Sequence, residues 1–204
     1  MESLTRGGTR WKRFAVVMVP SVAATAAIGV ALSQGALAAS FSVSGQQFKV
    51  STDRLDGEGF VQYGAVDAQK NGKNVPVAVS AFSSAKIHNL CQSVVVPVPV
   101  FGDVSMKLRA GTGDPVEAKN LYIDLDQLNA DATFNNINIG VAAGSSSKGP
   151  GIKKGDKADP GSFAQEADTA TLTHVQQRAW ATTAGTFKLS GLKMSVTKGK
   201  SECY

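Results

Sequence analysis

The sequence predicts an all-β fold, an antiparallel sandwich or open β roll, preceded by an N-terminal signal or hydrophobic helix. Three observations carry this expectation. Apolar residues recur at every second position in stretch after stretch, the period of a half-buried strand. Turn-forming clusters separate the stretches at hairpin spacing. Past Phe41, no amphipathic helix of useful length is legible.

In chain order, the first element is a leader. Arg6, Arg10, Lys12 and Arg13 form a basic start, and Phe14 to Leu32 carries no charged side chain. In "QGALAAS", Ala36 and Ala38 supply the small side chains that a signal peptidase accepts. Cleavage is expected between Ala38 and Ala39. Residues 1–38 then form a signal peptide and 39–204 a single β-rich exported domain. The alternative is an uncleaved anchor over 14–32. That run approaches the ~20 residues that span a bilayer, but Pro20 and many small residues dilute it.

The expected strands follow. "FSVSGQQFKVS" alternates at Phe41 and Val43, then at Phe48 and Val50. "NVPVAVSAF" alternates at Val75, Val77 and Val79. In "SVVVPVPVFGD", Val94, Val96, Val98 and Val100 share a face opposite Pro97 and Pro99. Proline has no amide hydrogen for a ladder, so this piece is expected at an edge or crossing between sheets. "NLYIDLDQL" alternates at Leu121, Ile123 and Leu125, and "FNNINIGVAA" at Ile137, Ile139 and Val141. "TFKLSGLKMSV" shifts by one residue around Gly191, which predicts a bulge or register change.

Turns are expected at "LDGEG" (Leu55–Gly59), "KNGKN" (Lys70–Asn74), "GTGDP" (Gly111–Pro115) and Gly185. "FAQEADTATLTHVQQRAWATTAG" is ambiguous. Gln, Glu and Ala favour helix at its start, while Thr-rich "TATLTHV" reads as strand. The Gly/Ser/Lys-rich segment 144–162 is expected to be a flexible, exposed insertion. "FKVSTDRLDGEGF" (48–60) and "LYIDLDQLNADATF" (121–134) share Asp-x-Leu followed by an aromatic, a weak internal repeat of hairpin type.

Charge and cysteines bound the function. The chain carries 21 Lys+Arg and 16 Asp+Glu, for a net charge of +5. Without 1–38 the balance is 17 to 15, so the basic character belongs largely to the leader. Of the remaining lysines, Lys148, Lys153, Lys154 and Lys157 cluster in the 144–162 loop and read as solvated. No broad basic face for nucleic acid is visible. Cys91 and Cys203 are an even pair in an exported chain, which suggests a disulfide. It would contribute roughly 4–5 kcal/mol by chain entropy. Free thiols, or Cys203 pairing with another chain, are the alternatives. Two distant cysteines do not form a zinc site, which needs about four clustered ligands.

The leader, "LNADATFNNINIG", "AWATTAGTFKLSGLKMSV" and the terminal Glu202-Cys203 together resemble an exported protein family of filamentous, streptomycete-type actinobacteria. It is a domain of unknown function (DUF6230-like), often labelled cholesterol esterase. The resemblance implies export and a possible neighbour, a small integral membrane protein. It supplies no catalytic residues.

The residues themselves give that label little support. There is no Gly-x-Ser-x-Gly elbow, and "GSSSKG" has the wrong spacing. Only His88 and His174 could serve as base, and each reads as a strand histidine. Oxidation would remove Cys91 as a nucleophile. The carboxylates of "DRLDGEG" and "DLDQLNAD" miss calcium-loop spacing, and Asp124 with Asp126 reads as a solvated face. No metal or cofactor site is expected, nor any catalytic residue.

Trp180 is the candidate contact for a ligand or partner. The expected function is non-catalytic binding of a lipid or other apolar ligand, or of a membrane-protein partner, in the cell envelope. The alternatives are a lipid or sterol-ester hydrolase and a structural surface module.

Overall fold

A computed structural model describes residues 44–204. The leader, the Ala36–Ala38–Ala39 cleavage site, the 14–32 apolar run and the strand start at Phe41 and Val43 lie outside the described residues. The described residues fall within one compact unit. Every described strand, both apolar clusters and the disulfide fall within it.

Alternation does produce strand throughout. The elements are β1 (Phe48–Ala68), β2 (Asn74–His88), β3 (Leu90–Val98), β4 (Gly102–Ala110), β5 (Val116–Asn135), β6 (Asn138–Ala142), β7 (Phe163–Thr183), β8 (Thr186–Lys188) and β9 (Lys193–Lys198). A 3-10 turn covers Ala143–Ser145. All pairings are antiparallel.

The architecture is neither a sandwich nor an open roll. One sheet closes on itself: β1 pairs with β2, β2 with β5, β5 with β7, and β7 returns to β1. The closure is strongly staggered. Val61 faces Glu166 on β7 directly, yet the route through Ala81 and Tyr122 arrives at Thr183. Closing the ring removes the open edges that four long strands would otherwise expose.

Such tight wrapping breaks strict alternation. On β1 the inward core residues are Val50, Leu55 and Phe60, five apart, so the inward face changes parity between them. Left-handed residues sit at such changes: Gly59 (φ 62°), Asn89 (φ 53°), Asn120 (φ 47°) and His174 (φ 53°). Each rotates the strand locally, as bulges do when a sheet must curl. "LDGEG" is therefore not a turn but lies within β1, its Gly59 being a kink and its Gly57 packing under the Phe82 ring.

The two repeat-like stretches are likewise single strands rather than hairpins. Their terminal aromatics, Phe60 and Phe134, meet with ring centroids 5.1 Å apart inside the roll. β7 is strand along its whole length, so the helical leaning of its start is overridden. Its Ala164, Ala167 and Ala170 are completely buried where β7 is squeezed between neighbours, and small size rather than helix propensity explains them.

Other expectations hold. Asn71-Gly72 turns β1 into β2, with Gln69 N–H donating to the Lys73 carbonyl. Beyond Ser93, β3 pairs only with β4 among the described strands, which makes Val94–Val98 the expected edge. The shift at Gly191 separates β8, which pairs with β5, from β9, which pairs with β4.

Two apolar clusters result. The main one fills the roll around Leu55, Phe60, Phe82, Leu121, Ile123 and Leu172. The second lies on the opposite faces of β1 and β2: Val61, Tyr63, Ala65, Val77, Val79 and Ala81. Its cover is the segment expected to be a mobile insertion. Ala143, Ile152 and Ala158 pack onto it, Val66 N–H donates to the Lys157 carbonyl, and Glu166 accepts from the amides of Ser147 and Lys148. Few apolar side chains suffice here, because Gly149 lets the backbone lie directly on Val61.

Cys91 and Cys203 form an intramolecular disulfide with Cα atoms 5.9 Å apart. It holds the C-terminal tail across β3 and β4. There the Cys203 N–H donates to Ser93 Oγ, the Ser201 N–H to Ser105 Oγ, and Lys107 Nζ to the Glu202 carbonyl.

Candidate functional site

Trp180 is half-buried at a β-bulge. Ala179 pairs with Leu125 and Ala181 with Asp124, which leaves Trp180 as the extra residue. A bulge re-aims its side chain. Trp180 packs against the second apolar cluster and also lines a groove with a volume of about 550 Å³. Phe48, Leu108, Phe187 and Leu189 contribute the other apolar walls, while Gln92 and Ser44 add polar groups.

The groove exists because the strands do not all run the same distance. β1 starts at Phe48, whereas β3, β4 and β9 continue past that level as an open three-stranded extension. Phe48, Leu108, Ala184 and Leu189 pack against the main core, so the groove is the mouth of the roll. A second cavity, about 200 Å³ between Phe60, Phe82 and Phe134, is smaller than the ~300–1,000 Å³ of typical ligand sites. The mouth falls inside that range. A third depression, about 680 Å³ over Gly57 and Ala85, is lined by Asp56, Glu58, Lys86, Glu117 and Lys119 and is too mixed in charge to favour one ligand.

Beneath the 143–162 segment lies a cluster that sequence reading missed. The Asp124–Asp126 spacing predicts a solvated face, yet Asp124 is 2 % exposed. Lys153 Nζ lies 3.6 Å from Asp124 and 3.2 Å from Asp156. Tyr63 donates its hydroxyl proton to Asp156 at 2.9 Å and accepts from the Lys153 N–H at 3.1 Å. Burial pushes the Asp124 carboxyl up to about 6, opposed by Lys153 and helped by Asp67 and Asp156. Burial also raises Asp67. For Lys153 burial disfavours the charge, but Asp124 and Asp156 outweigh it and raise its pKa. Asp124 Oδ1 and Asp67 Oδ2 have no hydrogen-bond partner. The cluster latches the loop to the sheet. Only the lysine-rich composition of the loop hinted at it, and that composition reads equally as solvated surface.

The remaining candidates disperse. His88 faces Asp56 at 4.0 Å, and His174, highly exposed, pairs with Asp131 at 2.9 Å. Cys91 is oxidised and so is not a nucleophile. Among the described residues, no three His, Cys, Asp or Glu side chains are placed to hold a metal, and no helix is long and apolar enough to cross a membrane.

Fold and site together define a closed antiparallel β roll with an apolar mouth. The chain belongs to a family of unknown function, DUF6230, whose model matches residues 44–204. No curated protein matches the chain, and no solved structure does.

Proposed function

We propose that this is an exported, non-catalytic binding protein of the cell envelope whose mouth at Trp180 takes the hydrocarbon part of a lipid-like ligand. The observation that carries the reading is the continuity of the groove with the main core. An acyl chain in the mouth would extend apolar packing that the fold has already begun with Phe48, Leu108 and Leu189. Burying such a chain contributes about 0.8 kcal/mol per CH₂. Gln92 and Ser44 at the groove offer hydrogen bonds to a polar head.

The test uses a built-in probe. Of the two tryptophans, Trp11 lies in the leader, so Trp180 is the single tryptophan of residues 39–204. Titration of that domain with a brominated fatty acid should quench Trp180 fluorescence saturably, and Leu108→Asp should abolish the quenching. Absence of saturable quenching across chain lengths would defeat the reading. Turnover of a chromogenic acyl ester that is lost on substituting His88 or His174 would favour a hydrolase.

A further inference from the structure

We infer that the β3–β4 hairpin is a membrane-docking element that inserts its tip into an anionic lipid bilayer. The tip is Val98–Gly102. Val100 is fully exposed and Phe101 is 68 % exposed. Below the tip, one face of the open extension carries Val94, Met106 and Val196 side by side across three strands. Met106, Met194 and Val196 are exposed there.

The backbone supplies a second, independent observation. Val100 has φ 72°. A β-branched residue in the left-handed region is strained, and glycine or asparagine would relax the turn. A hairpin shaped for folding alone would not place valine there. Strain of this kind is retained where the side chain serves something other than the fold. Pro97 and Pro99 stiffen the approach to the tip.

Charge and shape point to lipid rather than to a protein pocket. β9 carries Lys193 and Lys198 and no acid, and Lys200 follows. Lys198 pairs across from Val104, close to the tip. Asp103 is the acid at the tip and is held by Lys200 at 3.8 Å. A projecting apolar loop with cations behind it matches the two-part requirement for stable membrane attachment, apolar insertion plus attraction to anionic headgroups. A fluid bilayer needs no complementary cavity. β1 is antiparallel to β3, so its N-terminal end leaves toward the same tip.

This inference does not rest on the ligand reading, since vesicle binding and Trp180 quenching are separate readouts. The domain 39–204, which contains every described strand and both apolar clusters, is mixed with vesicles of phosphatidylglycerol and phosphatidylcholine, or of phosphatidylcholine alone, and sedimented. Binding should favour the anionic vesicles and weaken with salt. Phe101→Ser should lower the partition coefficient at least tenfold, the loss expected when one buried Phe is removed from an apolar phase. The pair Lys198→Gln and Lys200→Gln should weaken anionic binding by roughly fivefold per charge.

Val100→Gly discriminates most sharply. It should raise the melting temperature by relaxing the turn while weakening vesicle binding, a combination that a purely structural role does not produce. Failure of the wild-type domain to sediment with either vesicle overturns the inference. So does a wild-type dimer that Phe101→Ser converts to monomer, which would assign the tip to a second copy of the chain.

Discussion

Lys153 Nζ stands 3.6 Å from an Asp124 carboxylate oxygen, linking the 143–162 segment to the middle of β5. Nearly all of Asp124 is out of water, and its second oxygen is unpartnered. Its folded pKa of about 6 lies above the unfolded value near 3.9. Between those values the folded state holds a proton that the unfolded state releases, so this group makes stability fall as pH rises from about 4 to about 6. The full effect above pH 6 is on the order of 3 kcal/mol. Asp124→Asn should remove it. Urea unfolding at pH 4.5 and 7.5 should show the variant gaining on the wild type at the higher pH. An unchanged difference between the two proteins at both pH values would refute the assignment.

Glu166 titrates in the opposite sense. Burial works to raise its pKa, but hydrogen bonds from Asn138 and the amides of Ser147 and Lys148 outweigh burial and lower it. Its contribution is present above the unfolded carboxylate value and is lost as pH falls through the folded one. Glu166→Ala removes the acceptor of three part-buried hydrogen bonds, each contributing on the order of 1 kcal/mol. Hydrogen exchange at Ser147 and Lys148 should accelerate in the variant, and continued protection there would disprove the clamp.

Gly149 decides whether the segment lies flat. A Cβ at this position would stand 2.8 Å from the side chain of Val61. Gly149→Val should lift the loop, expose Val61 and Tyr63, and open the Lys153–Lys154 bond to trypsin. Equal resistance to trypsin in both proteins would show that the loop is held elsewhere.

Gly57 makes a similar contact in the main core, where an added Cβ would lie 2.2 Å from the Phe82 ring. Overpacking of this kind costs about 1–3 kcal/mol. Gly57→Ala should lower the midpoint of denaturant unfolding, and Phe82→Leu in the same chain should recover part of the loss. Additive losses would mean that the two positions are not in contact.

The disulfide spans 112 residues. Its removal by the pair Cys91→Ser and Cys203→Ser should cost roughly 4–5 kcal/mol through chain entropy. It should also release the tail from Ser93 and Ser105 to carboxypeptidase. A tail still resistant to digestion would indicate that Lys49, which binds both Glu202 and the Tyr204 carbonyl, suffices to hold it.

Much of this protein is written locally. Alternation at Phe48–Val50, Val75–Val79 and Leu121–Leu125 fixes strand, because a side-chain period of two can bury one face in no other way. Asn71-Gly72 fixes a hairpin, and the prolines of β3 fix an edge, since each acts through its own backbone. The even count of cysteines suggests a disulfide, which Cys91 and Cys203 do form. What the tertiary structure alone decides is how the faces are shared. Whether Gly57 and Gly59 make a turn or a kink depends on Phe82, Ser83 and Lys148, which are distant in sequence. Whether a glycine- and lysine-rich segment floats or docks depends on Val61 and Asp124, neither of which it can signal by composition. The apolar mouth arises because β1 begins only at Phe48 while three other strands extend past that level, a difference of length that no single stretch contains. Local sequence sets the conformation of each residue, but closure, burial of charge and the open mouth are properties of surfaces brought together from far apart in the chain.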